Sequence, residues 1–191
     1  MKLKTTTGLL LISAVLVAGC RTTTGEDAPT FDEMTASAAA LEVLYGGEAA
    51  RTDVPVAGAA TFEGYVGGDL DDGRELIGEL DLNANFGTGD VTGSATNFSD
   101  DGDQGFTGTL DFVGDVIYAP IGNADSLEGF LTGDLSADGE TYDTSILLDG
   151  SEFYGGTGAE LPDAVAGDAS GFLDDGGLGL LFDGTFIAER P

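Results

Sequence analysis

The chain has 191 residues, of which 35 are Asp or Glu, six are Lys or Arg and none is His, for a formal net charge of −29. That length suits one domain of moderate size, and so negative a surface disfavours nucleic-acid phosphates and anionic lipid headgroups as partners. Abundant glycine (32 residues), no Trp and Phe as 11 of the aromatics favour many short strands with tight turns over packed helices.

In chain order the first segment is MKLKTTTGLLLISAVLVAGC: two lysines, an apolar stretch and then small residues, which is the order of a secretory signal. The apolar stretch is shorter than the ~20 residues of a spanning helix, which argues against an uncleaved anchor. Its end resembles the bacterial lipoprotein signal. Leu16, Ala18 and Gly19 match the lipobox, and Cys20 matches the residue that receives lipid and becomes the mature N-terminus. Residues 1–19 are read as the signal peptide, with the membrane as partner through lipid on Cys20. Cys20 is the only cysteine, so lipidation leaves no thiol for a disulfide, a metal or a nucleophile. Each buried CH₂ of an acyl chain contributes about 0.8 kcal/mol, and several chains make attachment effectively permanent. Arg21 follows the cysteine where lipoproteins kept at the inner membrane often have Asp, so the resemblance implies the outer membrane. All 35 acids lie beyond the signal while both lysines leave with it; four arginines against 35 acids make −31 for the mature chain. Such acidity suits either a cationic partner or solubility in salty water.

Residues 20–58 lack sustained alternation and are read as a lipidated tether and approach segment. Within it, Thr30 is placed to cap a helix with Glu33 reaching back, and Gly46 to end it.

From residue 59 the pattern changes to period 2. In LIGELDLNANF, Leu76, Gly78, Leu80, Leu82, Ala84 and Phe86 share one face, and Ile77, Glu79, Asp81, Asn83 and Asn85 the other. FTGTLDF (Phe106–Phe112) and LEGFLTGDL (Leu127–Leu135) alternate likewise, with glycines on the inward face. Inward glycines let strands bend, which points to a small closed barrel. Strands are expected over 60–67, 75–86, 89–98, 105–113, 127–135, 141–154, 165–173 and 180–188. The turns between them carry Asp-Gly or Gly-Asp, so neighbours should pair antiparallel. The predicted fold is all-β: an up-and-down barrel of roughly eight antiparallel strands. Its outward Glu79, Asp81, Asp111, Glu128 and Asp134 predict a soluble barrel with a filled interior, since a spanning barrel needs an outer apolar band.

Within SEFYGGTGAELPDAVAGDASGFL, Phe153, Tyr154 and Gly155 end a strand, a loop containing Glu160 and Asp163 follows, and a glycine-containing strand begins. This stretch resembles the barrel signature of the transferrin-binding protein B family of surface lipoproteins, and GTFIAER near the C-terminus resembles that family's closing strand. The resemblance covers residues 59–191, one barrel without a full handle domain. Gly156 stands where proline is common after the tripeptide, and either Glu160 or Asp163 corresponds to the family acid. Fold and lipoprotein class carry over; transferrin binding does not. Phe153 and Tyr154 are expected to cover the barrel end and the acid to cap the turn.

No His, a lipidated Cys and no nucleophile motif argue against an enzyme. Asp100, Asp101 and Asp103 around Gly102 are weak calcium candidates, since the alternating ligands and distal Glu of an EF-hand are missing. No pair of tyrosines is singled out for haem, and no cofactor is expected. Two readings remain. In the first, an outer-membrane, lipid-anchored barrel at the cell surface captures a protein or iron-bearing ligand at its loops, with an outer-membrane importer or export partner. In the second, a structural or protective envelope lipoprotein holds no dedicated ligand.

Overall fold

The computed structural model describes residues 28–120, 124–177 and 179–191. The proposed lipidation site Cys20 and residues 1–19, read above as a signal peptide, lie outside these residues. One helix, α1 (Phe31–Tyr45), precedes nine strands: β1 (Ala59–Leu70), β2 (Glu75–Asn85), β3 (Asp90–Asp100), β4 (Thr107–Gly108), β5 (Leu110–Ile117), β6 (Ser126–Ala137), β7 (Glu140–Tyr154), β8 (Ala164–Asp174) and β9 (Leu180–Glu189). All pairings are antiparallel, and the order β6–β5–β3–β2–β1–β9–β8–β7 closes through a β7–β6 pairing. β4 and β5 continue one another along β6, Gly108 lying opposite Leu135 and Asp111 opposite Thr132, so they form one stave. The fold is a closed eight-stranded antiparallel barrel, as the period-2 segments and turn residues predict.

Side chains fill the interior. Phe62, Phe86, Phe98, Phe112, Phe153 and Phe186 are almost wholly buried in one continuous cluster with Leu and Val from β1, β2, β3, β5, β6, β7 and β8. Burying each ring contributes roughly 1.5–3 kcal/mol. Inward glycines make room for the rings: a Cβ on Gly78 would stand 2.6 Å from the Phe98 ring, and one on Gly129 2.5 Å from the tip of Phe112.

Two irregularities change which residues face inward. In β3, Val91 and Ala95 are buried; then the register with β2 shifts, Asn97 takes φ 55°, and Phe98 becomes the inward residue. In β7 the inward set passes from Thr144, Ile146 and Leu148 to Ser151 and Phe153 across a shift between Asp149 and Glu152. Ser151 Oγ accepts from the Leu127 N–H at 2.6 Å and donates to the Leu127 carbonyl at 2.8 Å, so a side chain stands in for ladder bonds at the bulge.

α1 forms where its end signals place it. Thr30 Oγ1 accepts from the Glu33 N–H at 3.3 Å, the Glu33 carboxylate accepts from the Thr30 N–H at 3.1 Å, and Gly46 caps the C-terminus. Such a cap contributes about 1 kcal/mol. The helix lies outside the barrel against β1, β2 and β9, fastened near its ends by the buried Met34 and Tyr45. Ile77, outward in the β2 alternation, is buried on the wall that faces α1. The stretch read from the sequence as an approach segment is therefore docked on the barrel from α1 onward.

The barrel has two unlike ends. At the turn end the connections are 71–74, 101–106, 138–139 and 175–179; at the loop end they are 86–89, 118–125 and 155–163. α1 runs from the first to the second. Ala28–Thr30 sit beside Phe98 and Phe106 near the turn end, while Tyr45 packs with Ala164 and Ile187 near the loop end.

Candidate binding end of the barrel

The loop end is built around Phe153, Tyr154 and Gly155. Phe153 is fully buried and closes the core, its ring centroid 5.8 Å from Phe86 in an edge-on arrangement and 6.3 Å from Phe62. Tyr154 points to the outer wall, where it packs with Tyr45, Ala164 and Ile187. Its hydroxyl donates to Glu152 at 3.1 Å, and burial together with that carboxylate raises its pKa. Tyr45 donates to Glu189 at 3.3 Å, and burial, then the Glu189 charge, push its pKa up to about 12.

After the tripeptide the chain turns through left-handed glycines. Gly155 has φ +67° and a Cβ there would strike the Asp163 side chain; Gly156 has φ +65° and a Cβ there would meet the Leu161 carbonyl at 2.6 Å. Proline is locked near φ −65°, so Gly156 stands where proline cannot. The absence of proline at this position thus has a backbone cause.

Both acids of this loop have structural partners. Glu160 accepts from the Thr157 N–H at 3.0 Å and the Thr157 hydroxyl at 3.1 Å, closing the turn between them. Asp163 pairs with Arg190 at 2.5 Å, donates its N–H to the Tyr154 carbonyl and accepts from the Arg190 N–H. The first caps the turn locally; the second clasps the end of β9 to the start of β8.

The sequence reading missed the residue that holds this loop. Arg51 is 7% exposed, and its guanidinium donates to the carbonyls of Asp53 (2.9 Å), Gly158 (2.9 Å), Glu160 (2.8 Å) and Gly155 (3.4 Å). Its own N–H donates to the Phe153 carbonyl at 2.8 Å. A planar fork with five donors suits such a ring of carbonyls, whereas an ammonium does not. Asp125, 5% exposed, does the converse on the neighbouring connection, accepting from the Val54 N–H at 2.8 Å and the Ala119 N–H at 2.7 Å. The only sequence signal for Arg51 is rarity, as one of four arginines in the chain.

Of the weak calcium candidates, Asp100 has other partners. Asp100 is 3% exposed; its Oδ1 accepts from the N–H groups of Gly102 (3.0 Å) and Gln104 (2.9 Å), and its Oδ2 lies 3.3 Å from Arg74. Asp101 and Asp103 are exposed on the turn, and among the described residues no group of three His, Cys, Asp or Glu is placed to hold a metal ion. Arg74 also pairs with Asp72 at 2.8 Å, and that hydrogen-bonded partner lowers the Asp72 pKa.

One cleft of about 360 Å³ lies between α1 and the wall, lined by Thr35, Ala38 and Glu42 on the helix and by Gly67, Ile77 and Thr185 on the barrel. Small residues on both sides leave the space open under the middle of the helix. No protein-family model, curated protein or solved structure matches the chain.

Proposed function

We propose that the chain is a lipid-anchored, non-enzymatic binding module of the outer membrane, of the transferrin-binding protein B-like type. Residues 1–19 act as the signal peptide, Cys20 carries the lipid, 20–58 lead to the barrel, and 59–191 form it. The observation that carries the reading is the direction of α1. Ala28 sits near the turn end, and the eight residue steps from Cys20 to Ala28 reach about 28 Å at most. An anchor on Cys20 therefore keeps the turn end nearest the bilayer and directs the loop end away from it.

The loop end has the two longest connections, 118–125 and 155–163, fastened by Asp125 and Arg51. A loop held in one shape, as 155–163 is by Arg51, loses little freedom on binding, which favours recognition there. The filled interior leaves no lumen for a ligand, so a protein or iron-bearing ligand meets the loops or the wall. The outward carboxylates support a barrel held by its lipid, because a spanning barrel needs an apolar band about 25 Å tall. The test is labelling with radioactive palmitate in cells expressing the wild-type chain or Cys20→Ala. Label in the wild type alone, in the outer-membrane fraction, is the expected result. An unlabelled wild-type protein recovered in the soluble fraction overturns the anchor.

A further inference from the structure

We infer that the outer wall of β5 to β9 docks a basic amphipathic helix of a partner protein. The inference rests on the reading of this chain as a binding module, but it concerns the wall and not the loops. On that wall Val113 is 70% exposed, Phe130 51%, Phe172 46% and Leu181 63%. They are contiguous. Val113 lies opposite Phe130, Phe130 opposite Leu147 and Phe172 opposite Leu181. Ser145, two residues from Leu147, lies opposite Phe172, so Leu147 and Phe172 are diagonal neighbours. One apolar stripe thus crosses five strands, and contiguous exposed apolar surface marks interaction sites.

Carboxylates flank the stripe in directly opposed ranks. On one side Asp143 lies opposite both Asp134 and Asp174; on the other Asp115 faces Glu128 and Asp149 faces Asp168. Like charges directly opposite each other destabilise a sheet. β5 to β9 contain neither Lys nor Arg, so cations that relieve this repulsion come from outside these strands.

The dimensions select a helix. Along β7 the two ranks stand six residues apart, at Asp143 and Asp149, which is about 20 Å at the rise of a strand. A helix about 10–12 Å across, with Lys or Arg stems reaching out on both flanks, fills that width. Across five strands the stripe runs about 19 Å along a curved wall. Since β5 and β9 stand four places apart in a ring of eight, a straight helix rests on its middle, Phe130, Leu147 and Phe172, while its flanking side chains reach toward Val113 and Leu181. A second copy is a poor occupant: each mature chain carries −31, four arginines against 35 acids, and α1 has acids in its first turn with no base in its last.

The test uses the purified full chain and a labelled synthetic 14-residue peptide of Leu and Lys, helical, with Lys on both flanks of an apolar face. Fluorescence anisotropy is expected to show binding at least tenfold tighter than that of a scrambled peptide of the same composition. A Phe130→Thr, Phe172→Thr double variant is expected to lose at least tenfold, and Asp143→Asn to weaken binding and flatten its salt dependence. Val113→Lys, a single change at the most exposed position, provides an independent loss should the double variant fold poorly. Equal binding of the scrambled peptide, or binding unchanged by these substitutions, overturns the proposal. So does wild-type self-association in high salt that the double variant abolishes, which makes the stripe a contact between copies. The assay reads neither lipidation nor surface exposure, so its failure leaves the anchored-module reading standing, and loss of the anchor leaves this surface testable.

Discussion

Replacing Arg51 with Ala removes a guanidinium that touches the carbonyls of Asp53, Gly155, Gly158 and Glu160 and leaves those acceptors under a nearly closed surface. A hydrogen bond from a charged donor contributes roughly 1.5–3 kcal/mol, and a buried acceptor left unpaired costs roughly 1–3. Water entering the vacated site and the relief of the buried charge offset part of this, so the net loss expected is about 3 kcal/mol, within the range for breaking a buried polar network. For a domain of this size each kcal/mol shifts Tm by about 2–4 °C, which makes the drop about 6–12 °C. Arg51→Lys keeps the charge but loses the fork, and is expected to recover less than half of the loss. Urea unfolding supplies the magnitude, and hydrogen exchange at Glu160 and Asp163, whose N–H groups bond to Thr157 and Tyr154, supplies the location. A loss under about 0.5 kcal/mol for Arg51→Ala, with exchange at both amides unchanged, would refute the account of this loop.

Three further outcomes follow from the same contacts. Asp143 stands opposite both Asp134 and Asp174, so Asp143→Asn is expected to stabilise the barrel by about 0.5 kcal/mol in low salt. At about 1 M salt, where the Debye length is about 3 Å, urea unfolding should show the gain gone; a gain unchanged by salt points to a cause other than repulsion. The Tyr45 pKa is raised from 10.0 to about 12, so the unfolded chain loses this proton first: the stabilisation is complete below pH 10 and is lost as pH rises through 12. Unfolding series across that interval should show a downward slope that Tyr45→Phe reduces, and equal slopes for the two proteins contradict the assignment. Gly78→Ala puts a Cβ 2.6 Å from the Phe98 ring and is expected to cost about 1–3 kcal/mol, part of it recovered by a second change, Phe98→Leu. Strictly additive effects of the two substitutions would mean that the ring and the glycine do not share this space.

The strands were legible because burial on one face leaves a period-2 trace, as in Leu76, Leu80 and Leu82 against Asp81 and Asn83. α1 was legible from its ends, since Thr30, Glu33 and Gly46 state their roles locally. What depends on a distant partner was not. Ile77 alternates outward, and only the docking of α1 over the wall explains its burial. The parity changes that bring Phe98 and Phe153 inward sit at bulges, where one added residue inverts the alternation and no residue type announces it. At the loop end the signature residues could be placed, but Arg51 lies about a hundred positions away from the carbonyls it holds, in a stretch without periodicity. The wall stripe escaped for a related reason: Val113, Phe130 and Phe172 are ordinary single apolar residues until strand register aligns them.

The central claim, a barrel displayed on a lipid anchor to meet a ligand, is tested most directly by protease treatment of intact cells, with immunoblotting for this protein and for a periplasmic control. The account predicts loss of the protein while the control survives. Full protection until the outer membrane is opened would contradict it and favour a periplasm-facing structural or protective lipoprotein.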